Sequence, residues 1–174
     1  AHEALLARHQ QLQTLHAISE EVFTSTALNA VVELILDKVL SLGSFELGAV
    51  RLRDPEGNLF RAVALKGYLD PEATINRNID LQNPATGMLN SHIVITKESI
   101  IVEDVPASQG LAEFKKEEVQ SAILVPIIAA QEVLGTIQLG SRTPRKFPPE
   151  LLRTLEALGN HVGIAIQKAR LHQE

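Results

Sequence analysis

The 174-residue sequence lacks cysteine and tryptophan altogether, and its aromatic side chains are limited to five phenylalanines and one tyrosine. Without a thiol the chain forms no disulfide and offers no thiolate ligand to a metal ion. The shortage of aromatic rings leaves few surfaces on which a purine or a large chromophore would stack. These absences exclude disulfide scaffolds and thiolate metal centres, and they disfavour large aromatic ligands.

The chain also lacks an excess of positive charge and a long apolar run. Its net charge is −5 and its pI is about 5.7, whereas a nucleic-acid-binding surface is normally basic, so we expect no nucleic-acid partner. Arg142, Arg145 and Lys146 cluster in one segment, which we interpret as a solvated loop. No apolar stretch approaches the roughly 20 residues of a transmembrane helix, so we expect no direct membrane insertion. Hydrophobic residues nevertheless make up 45% of the chain, which predicts a folded domain.

Motifs for catalysis and metal binding are missing as well. The sequence has no phosphate-binding glycine loop, no nucleophile elbow and no H-E-x-x-H spacing. His2, His9 and His16 recur every seven residues, which places neighbours about 10.5 Å apart along a helix, too far to share one ion. His161 is expected to face out of the last helix. We therefore predict neither a catalytic centre nor a metal site in this chain.

Hydrophobic periodicity predicts helices and strands in the first half of the chain. A helix is expected over residues 2–24 and a second over 27–42, the latter stopped by Gly43. Strands are expected over 46–53 and 59–66, joined by a Pro- and Gly-containing turn. The apolar face of the second helix is predicted to comprise Val31, Leu34, Ile35, Val39 and Leu42, with the stem of Lys38.

The middle of the chain, residues 68–118, carries weaker signals. Asp70-Pro71-Glu72 is typical of a helix start, and Ile75–Leu81 fits a short strand. A short helix is expected over Pro84–Ser91 with Asn83 as its cap, followed by a strand over 99–102. Residues 109–118 are expected to be helical.

The last third has the clearest pattern. Gln120–Ala129 and Glu132–Gly140 are rich in Ile, Val and Leu and are joined by two residues, which predicts a β-hairpin. A long amphipathic helix is expected from about Pro149 to beyond residue 172, with a stripe of Leu151, Leu155, Leu158, Val162, Ala165 and Ala169. Gly159 and Gly163 lie near this stripe and weaken the helix by roughly 1 kcal/mol each, so we predict that another backbone approaches closely there.

This element order predicts an α+β domain with an antiparallel sheet. The first, second and last helices should cover one face of the sheet, while the short middle helices and loops cover the other face and enclose a pocket. The terminal helices are expected to continue into a longer protein and to form a parallel homodimer through a bundle of residues 5–22 and 155–171.

The pattern resembles that of a GAF domain, the sensor module of histidine kinases, phytochromes and phosphodiesterases. The matching residues are Ser121–Pro126, Val133-Leu134-Gly135, Phe147, Leu151-Leu152, Ile164-Ala165-Ile166 and Ala169-Arg170-Leu171. The resemblance implies a GAF/PAS-like sheet of five or six strands, with residues 1–25 as a signalling helix and 26–174 as the domain. It also implies that a bilin chromophore, which such domains usually hold through a cysteine, would not be held covalently here.

Strand alternation identifies candidate ligand-binding residues. Arg51 lies on the strand face opposite Val50 and Leu52, and Thr136 and Gln138 share a face of the last strand. The resemblance makes these strands neighbours, which would bring Arg51 beside Gln138. An arginine with an amide and a hydroxyl suits an anionic or carboxylate-bearing ligand, although an internal ion pair is the commoner role. The remaining candidate lining residues are Met88, Phe114, Ser121 and Ile123.

Haem and cyclic nucleotides are two ligands of GAF-like domains. Some of these domains bind haem through a histidine, and His92 follows the short helix near the pocket, but a loop histidine with local hydrogen bonds is the simpler interpretation. Phe114-Lys115-Lys116-Glu117-Glu118 faintly matches the end of a cyclic-nucleotide signature, with altered spacing and a Glu for an Asp. We therefore expect neither haem nor a cyclic nucleotide.

The resemblance implies a cytoplasmic sensory domain without catalytic activity of its own, with a two-component sensor histidine kinase as its parent. An unidentified small molecule would bind non-covalently and bias the packing of the dimeric terminal helices. One alternative is a ligand-free dimerisation scaffold, and others are the regulatory domains of a cyclic-di-nucleotide enzyme or a transcription regulator. A few stand-alone GAF proteins reduce methionine sulfoxide, a reaction that needs cysteines.

Overall fold

The computed structural model describes residues 25–55 and 58–173. The predicted first helix, and with it the N-terminal half of the predicted dimer bundle, lies outside these residues. The elements in chain order are α1 (Ser25–Gly43), β1 (Leu47–Arg53), β2 (Leu59–Lys66), α2 (Pro71–Asn76), β3 (Ile79–Asp80), a 3₁₀ turn (Pro84–Thr86), α3 (Met88–Thr96), β4 (Ile100–Val102), α4 (Ala112–Lys116), β5 (Ser121–Ala129), β6 (Glu132–Ser141) and α5 (Pro149–Gln173).

The strands form one six-stranded antiparallel sheet in the order β3-β2-β1-β6-β5-β4. Helices α1 and α5 pack on one face, where the larger hydrophobic core lies. The shorter helices and their loops cover the other face over a second core that includes Phe60, Ile79, Phe114 and Leu124. The predicted α+β architecture is confirmed, with six strands rather than five.

Two residues at the β5–β6 turn, Ala130 and Gln131, have positive φ angles of 50° and 64°. Two consecutive left-handed residues match the twist of a tight hairpin, so the turn predicted from sequence forms as expected. Strand β6 carries an irregularity a few residues later, because Ile127 pairs with Gly135 while Ile128 pairs with Val133. Leu134 is thus an extra residue on β6, and the alternation of its side chains reverses there.

Helix α5 lies directly on the backbone of β5, as the two glycines predicted. A Cβ atom built on Gly159 would lie 2.3 Å from the Pro126 carbonyl oxygen, and one on Gly163 would lie 2.2 Å from that of Ile128. Only glycine permits this approach, which buries the predicted stripe of α5 from Leu155 to Ala169 and leaves Leu151 partly buried. The close packing is confirmed.

Helix α1 buries only part of its predicted face. Ile35 and Val39 are buried as expected, but Leu34 and Leu42 are about half exposed, and Val32 and Leu36 are buried in their place. The helix is apolar around most of its circumference, so its composition does not single out one face. Its end also differs from the prediction, because Ser44 rather than Gly43 takes the left-handed conformation, and Phe45 N–H donates to the Leu40 carbonyl at 2.9 Å.

The loop after β6 is built into the fold rather than solvated. Arg142 is partly buried and bonded to Glu117, and Arg145 donates to the Ser44 carbonyl while stacking on two phenylalanine rings. Only Lys146 of the three predicted surface charges is exposed. Among residues 25–55 and 58–173, no helix combines the length and hydrophobicity that crossing a bilayer demands.

Candidate functional site

A cavity of about 640 Å³ lies on the sheet face opposite α1 and α5. Its floor is formed by β1, β6 and β5, and its walls by α2, the start of α3, and α4 with its flanking residues. Its polar lining residues include Arg51, Tyr68, Asp70, Thr74, Arg77, Asn90, Glu113, Lys116, Glu117 and Gln138, and its apolar ones include Leu69, Ile79, Met88, Leu89, Leu111, Phe114 and Leu124. The volume falls in the range of small-molecule sites.

Arg51 occupies the floor with only 2% of its surface exposed. Its Nη1 donates to the Arg77 carbonyl oxygen at 2.8 Å, and its Nε finds no acceptor among the described residues. Burial lowers the pKa of Arg51; Tyr68 opposes this effect, while the nearby Arg77 charge reinforces it. The ordinary arginine pKa is so high that the guanidinium stays charged.

Arg77 follows α2 and bridges two walls of the cavity. Its Nη1 lies 2.8 Å from Glu113 Oε2, and its Nη2 donates to the Thr86 carbonyl oxygen. The Arg77–Glu113 pair thus ties the end of α2 to α4. The backbone carbonyl of Arg77 is also the acceptor for Arg51.

Tyr68 and Gln138 provide neutral polar groups beside Arg51. Gln138 Nε2 donates to the Tyr68 hydroxyl oxygen at 3.1 Å. Burial raises the pKa of Tyr68, an effect that this hydrogen bond and the Arg51 charge partly offset. The hydroxyl is therefore protonated at neutral pH and has a hydrogen to donate.

Two further contacts hold the walls in place. Thr136 Oγ1, fully buried, donates to Asn90 Oδ1 at 2.6 Å and so anchors α3 to β6. The buried Glu117 accepts from the backbone N–H groups of Leu69 and Asp70 at 2.5 and 3.0 Å. The loop that leads into α2 is therefore pinned to the end of α4.

The structure brings five of the eight predicted site residues together on the cavity face. Arg51, Met88, Phe114 and Gln138 line the cavity, and Thr136 pairs with Arg51 across β1 and β6. Arg51 and Gln138 share a face as expected, although the residue directly opposite Gln138 is Ala49.

Ser121, Ile123 and His92 do not reach the cavity. Ile123 belongs to the core under α1 and α5, and Leu124 faces the cavity in its place. An uninterrupted two-residue hairpin would pair Ile123 with Gln138, but the extra residue in β6 pairs it with Leu139 and reverses its face. Ser121 shares that face and accepts from Arg145 N–H at 2.8 Å.

His92 lies within α3 rather than after it, and its side chain is exposed. The predicted helix began at Pro84, whereas the structure has a 3₁₀ turn there and an α-helix from Met88. Asn83 makes no side-chain capping bond. An exposed histidine outside the cavity is not placed to act as an axial haem ligand. No cluster of three metal-binding side chains occurs in the part of the chain that the structure describes.

Sequence reasoning missed Tyr68, Arg77, Glu113 and Leu124. Three of them lie in or beside short helices of the middle segment, where periodicity was weak. The one available clue was Tyr68, the single tyrosine of the chain, positioned just after the glycine that ends β2.

Comparisons with known proteins agree with this architecture. The family model for the GAF domain matches residues 25–167. The sensor histidine kinase YhcY of Bacillus subtilis is 22% identical over 170 residues, which is 95% of this chain and 44% of that protein. The chain therefore spans less than half the length of this curated relative.

Two solved structures illustrate the likeness of fold. The GAF domain of an Acinetobacter phosphoenolpyruvate-protein phosphotransferase superposes with a TM-score of 0.70 at 19% identity, covering 93% of this chain and 95% of that one. The phycocyanobilin-bound GAF domain of a cyanobacterial phytochrome gives a TM-score of 0.70 at 18% identity, covering 92% and 96%. With a family model that matches most of its length, this chain belongs to the GAF domain family.

Proposed function

We propose that this chain is the ligand-sensing domain of a cytoplasmic signal-transduction protein, with a two-component sensor histidine kinase as the parent. A small molecule binds non-covalently in the cavity and biases the packing of the terminal helices of a homodimer. GAF domains are in general regulatory modules rather than catalysts. The likeness to a sensor histidine kinase over 95% of the chain supports this choice of parent.

The observation that supports the proposal is that the cavity is open and has a polar floor. A scaffold without a ligand would fill the space with its own Leu, Ile and Phe side chains, which close-packed protein interiors normally do. Here about 640 Å³ is open, and its floor presents a buried arginine that no described carboxylate neutralises within 4.0 Å. An open polar floor favours the sensor over the scaffold.

The contacts around the cavity suggest how occupancy reaches the last helix. Glu117, at the rim, accepts from the loop before α2 and pairs with Arg142, which follows β6 on the way to α5. A ligand that moves the loop would move this pair. The helix responds only if the ligand binds one arrangement more tightly than the other.

A blocking variant tests the proposed site. Ala73 lies on α2, lines the cavity and is exposed, so Ala73→Trp fills the entrance without disturbing a buried residue. Ile75→Trp on the same helix, 52% exposed and outside the lining, is the matched control. Native mass spectrometry of the purified proteins should find a retained or added small molecule on the wild type and the control, and not on the blocked variant. Equal retention by all three would place binding elsewhere.

The homodimer is tested separately. Ile164 and Leu171 of α5 are 46% and 64% exposed and could form part of an interface. Sedimentation velocity should show a dimer that Ile164→Glu weakens and Gln167→Glu, an exposed control on the same helix, does not. A wild-type chain that stays monomeric at high concentration would refute this part of the proposal.

A further inference from the structure

The floor of the cavity carries an uncompensated positive charge. Only 2% of the surface of Arg51 is exposed, and none of the described carboxylates lies within 4.0 Å of its guanidinium. Its one recorded hydrogen bond to the described residues goes to the Arg77 carbonyl. A buried charge without a counter-ion is costly, and such groups are normally paired. A ligand that supplies a negative charge would therefore be favoured beside Arg51.

The acidic groups near Arg51 are already engaged. Glu113 pairs with Arg77 at 2.8 Å, and Glu117 accepts two backbone N–H groups and pairs with Arg142. The side chain of Asp70 caps α2 by accepting from Ala73 N–H at 3.2 Å. The lining cations Arg51, Arg77 and Lys116 equal the lining carboxylates Asp70, Glu113 and Glu117 in number, so the positive charge is local to the floor rather than a net charge of the cavity. A ligand therefore meets an unpaired positive charge at Arg51, where one negative charge suffices.

Neutral donors beside Arg51 match a carboxylate. The Tyr68 hydroxyl accepts from Gln138 and keeps its own hydrogen for an acceptor in the cavity. The guanidinium Nε has no described acceptor and is itself covered, so it can donate alongside Tyr68 once the groups that cover it shift. Arginine binds planar carboxylates through parallel hydrogen bonds, whereas a single lysine would act as a point charge.

The rest of the cavity near this floor is apolar. Ile79, Phe114 and Leu124 line it and are each buried, and Leu111 packs against them. An apolar surface of this kind favours the binding of a ligand with a hydrocarbon body, because binding removes that body from water.

We propose that the cavity binds an organic monocarboxylate, with its carboxylate on Arg51 and Tyr68 and its compact apolar body against Ile79, Phe114 and Leu124. This inference rests on the proposed function and specifies the chemistry of the same site. It distinguishes a simple carboxylic acid from an amino acid, whose ammonium group would lie next to the positive Arg51, and from a neutral ligand of the same shape.

Three compounds that share one body test the head group. Hydrocinnamate carries the carboxylate, phenylalanine adds an ammonium group, and hydrocinnamamide replaces the charge with an amide. Because Tyr68 lines the cavity and is the single tyrosine in a chain without tryptophan, its fluorescence reports binding at this site. Hydrocinnamate should bind about tenfold or more tightly than either relative, as expected for a charge-assisted pair. Acetate, which lacks the body, should bind more weakly than hydrocinnamate.

Variants of the floor assign the effect to Arg51. Arg51→Met should abolish the preference for hydrocinnamate over its amide, and Arg51→Lys, which keeps the charge and loses the planar fork, should retain part of it. Arg61→Met removes an exposed arginine of β2 that pairs with Asp54, and it should leave binding unchanged. Arg51→Lys keeps the test informative if the methionine variant fails to fold.

The possible outcomes separate this inference from the proposed function. Equal binding of the acid and the amide, or an unchanged preference in both Arg51 variants, would overturn the carboxylate head group, and equal binding of acetate would overturn the apolar body. If the neutral amide binds as tightly as the acid and Ala73→Trp blocks it, the sensor proposal stands while the monocarboxylate falls. If native mass spectrometry and all four compounds show nothing bound, both fall.

Discussion

Replacing Gly163 by alanine tests the contact that joins the last helix to the sheet. The substitution adds one methyl group where the Ile128 carbonyl oxygen lies 2.2 Å from the ideal Cβ position. Ordinary van der Waals contact begins near 3.4 Å, so helix α5 must retreat by roughly 1 Å at this point. The neighbour is the backbone of β5, which has no rotamer through which to yield.

The magnitude follows from two opposing effects. A gap of this size weakens the dispersion contacts of the buried α5 side chains around Val162 and Ile166 by a quarter to a half, and overpacking of a core typically costs about 1–3 kcal/mol. Alanine is a better helix former than glycine by about 1 kcal/mol. Because the clash is with backbone, we take the upper part of the first range and expect a net loss of about 1–2 kcal/mol.

Chemical denaturation and thermal melting measure this loss. For a domain of this size, about 1–2 kcal/mol corresponds to a fall in Tm of roughly 2–8 °C. Asn160→Ala, at an exposed position of the same helix, is the control and should stabilise by a few tenths of a kcal/mol through propensity alone. If Gly163→Ala raises stability as much as the control does, the helix does not lie on the β5 backbone as described.

Three further predictions concern the cavity. Glu117→Gln should reduce the free energy of unfolding by about 1–3 kcal/mol, because an amide replaces a carboxylate that accepts from two backbone N–H groups. Amide hydrogen exchange should become faster at Leu69 and Asp70. Unchanged protection of these two amides would contradict their hydrogen bonds to Glu117. Since burial raises the native pKa of Tyr68, the folded state keeps this proton at a higher pH than the unfolded state does, and the free energy of unfolding should fall as pH rises above about 10. Near-ultraviolet absorbance should show the tyrosine ionising at a higher pH in the native protein. Tyr68→Phe should remove this dependence of stability on pH. Arg51→Met should raise the ligand-free Tm, because it removes a buried charge without a counter-ion; a fall of several degrees would indicate a structural role instead.

Local sequence patterns determined much of the fold. The β5–β6 hairpin followed from two apolar runs separated by only two residues, because a turn this short allows the two strands to pair only antiparallel. Two glycines in an otherwise regular helix indicated a backbone contact, which Gly159 and Gly163 make. Strand alternation placed Thr136 and Gln138 on one face of their strand and Arg51 opposite Val50 on its own strand, because side chains alternate with a period of two wherever a strand is regular. That the two strands are neighbours was implied by the resemblance to GAF domains, and the pairing of β1 with β6 agrees.

The prediction failed where one irregular residue changes the register. Leu134 is extra in β6, and this single insertion turns Ile123 away from the cavity and brings Leu124 to it. A bulge depends on both strands and on the layers that cover them, so it cannot be predicted from either apolar run alone. The same limit applies to α1. Its apolar residues cover most of the helix surface, and packing on the sheet decides that Val32 and Leu36 are among those buried.

The sequence by itself determined the class of domain, the order of its main elements and the charged strand position that faces the cavity, since these depend on periodicities within short segments. Only the tertiary structure decided which groups surround that position. Tyr68, Arg77 and Glu113 come from segments separated along the chain and meet Arg51 through the packing of α2 and α4 over the sheet. Proximity of this kind depends on how loops close and layers pack, which no local spacing encodes.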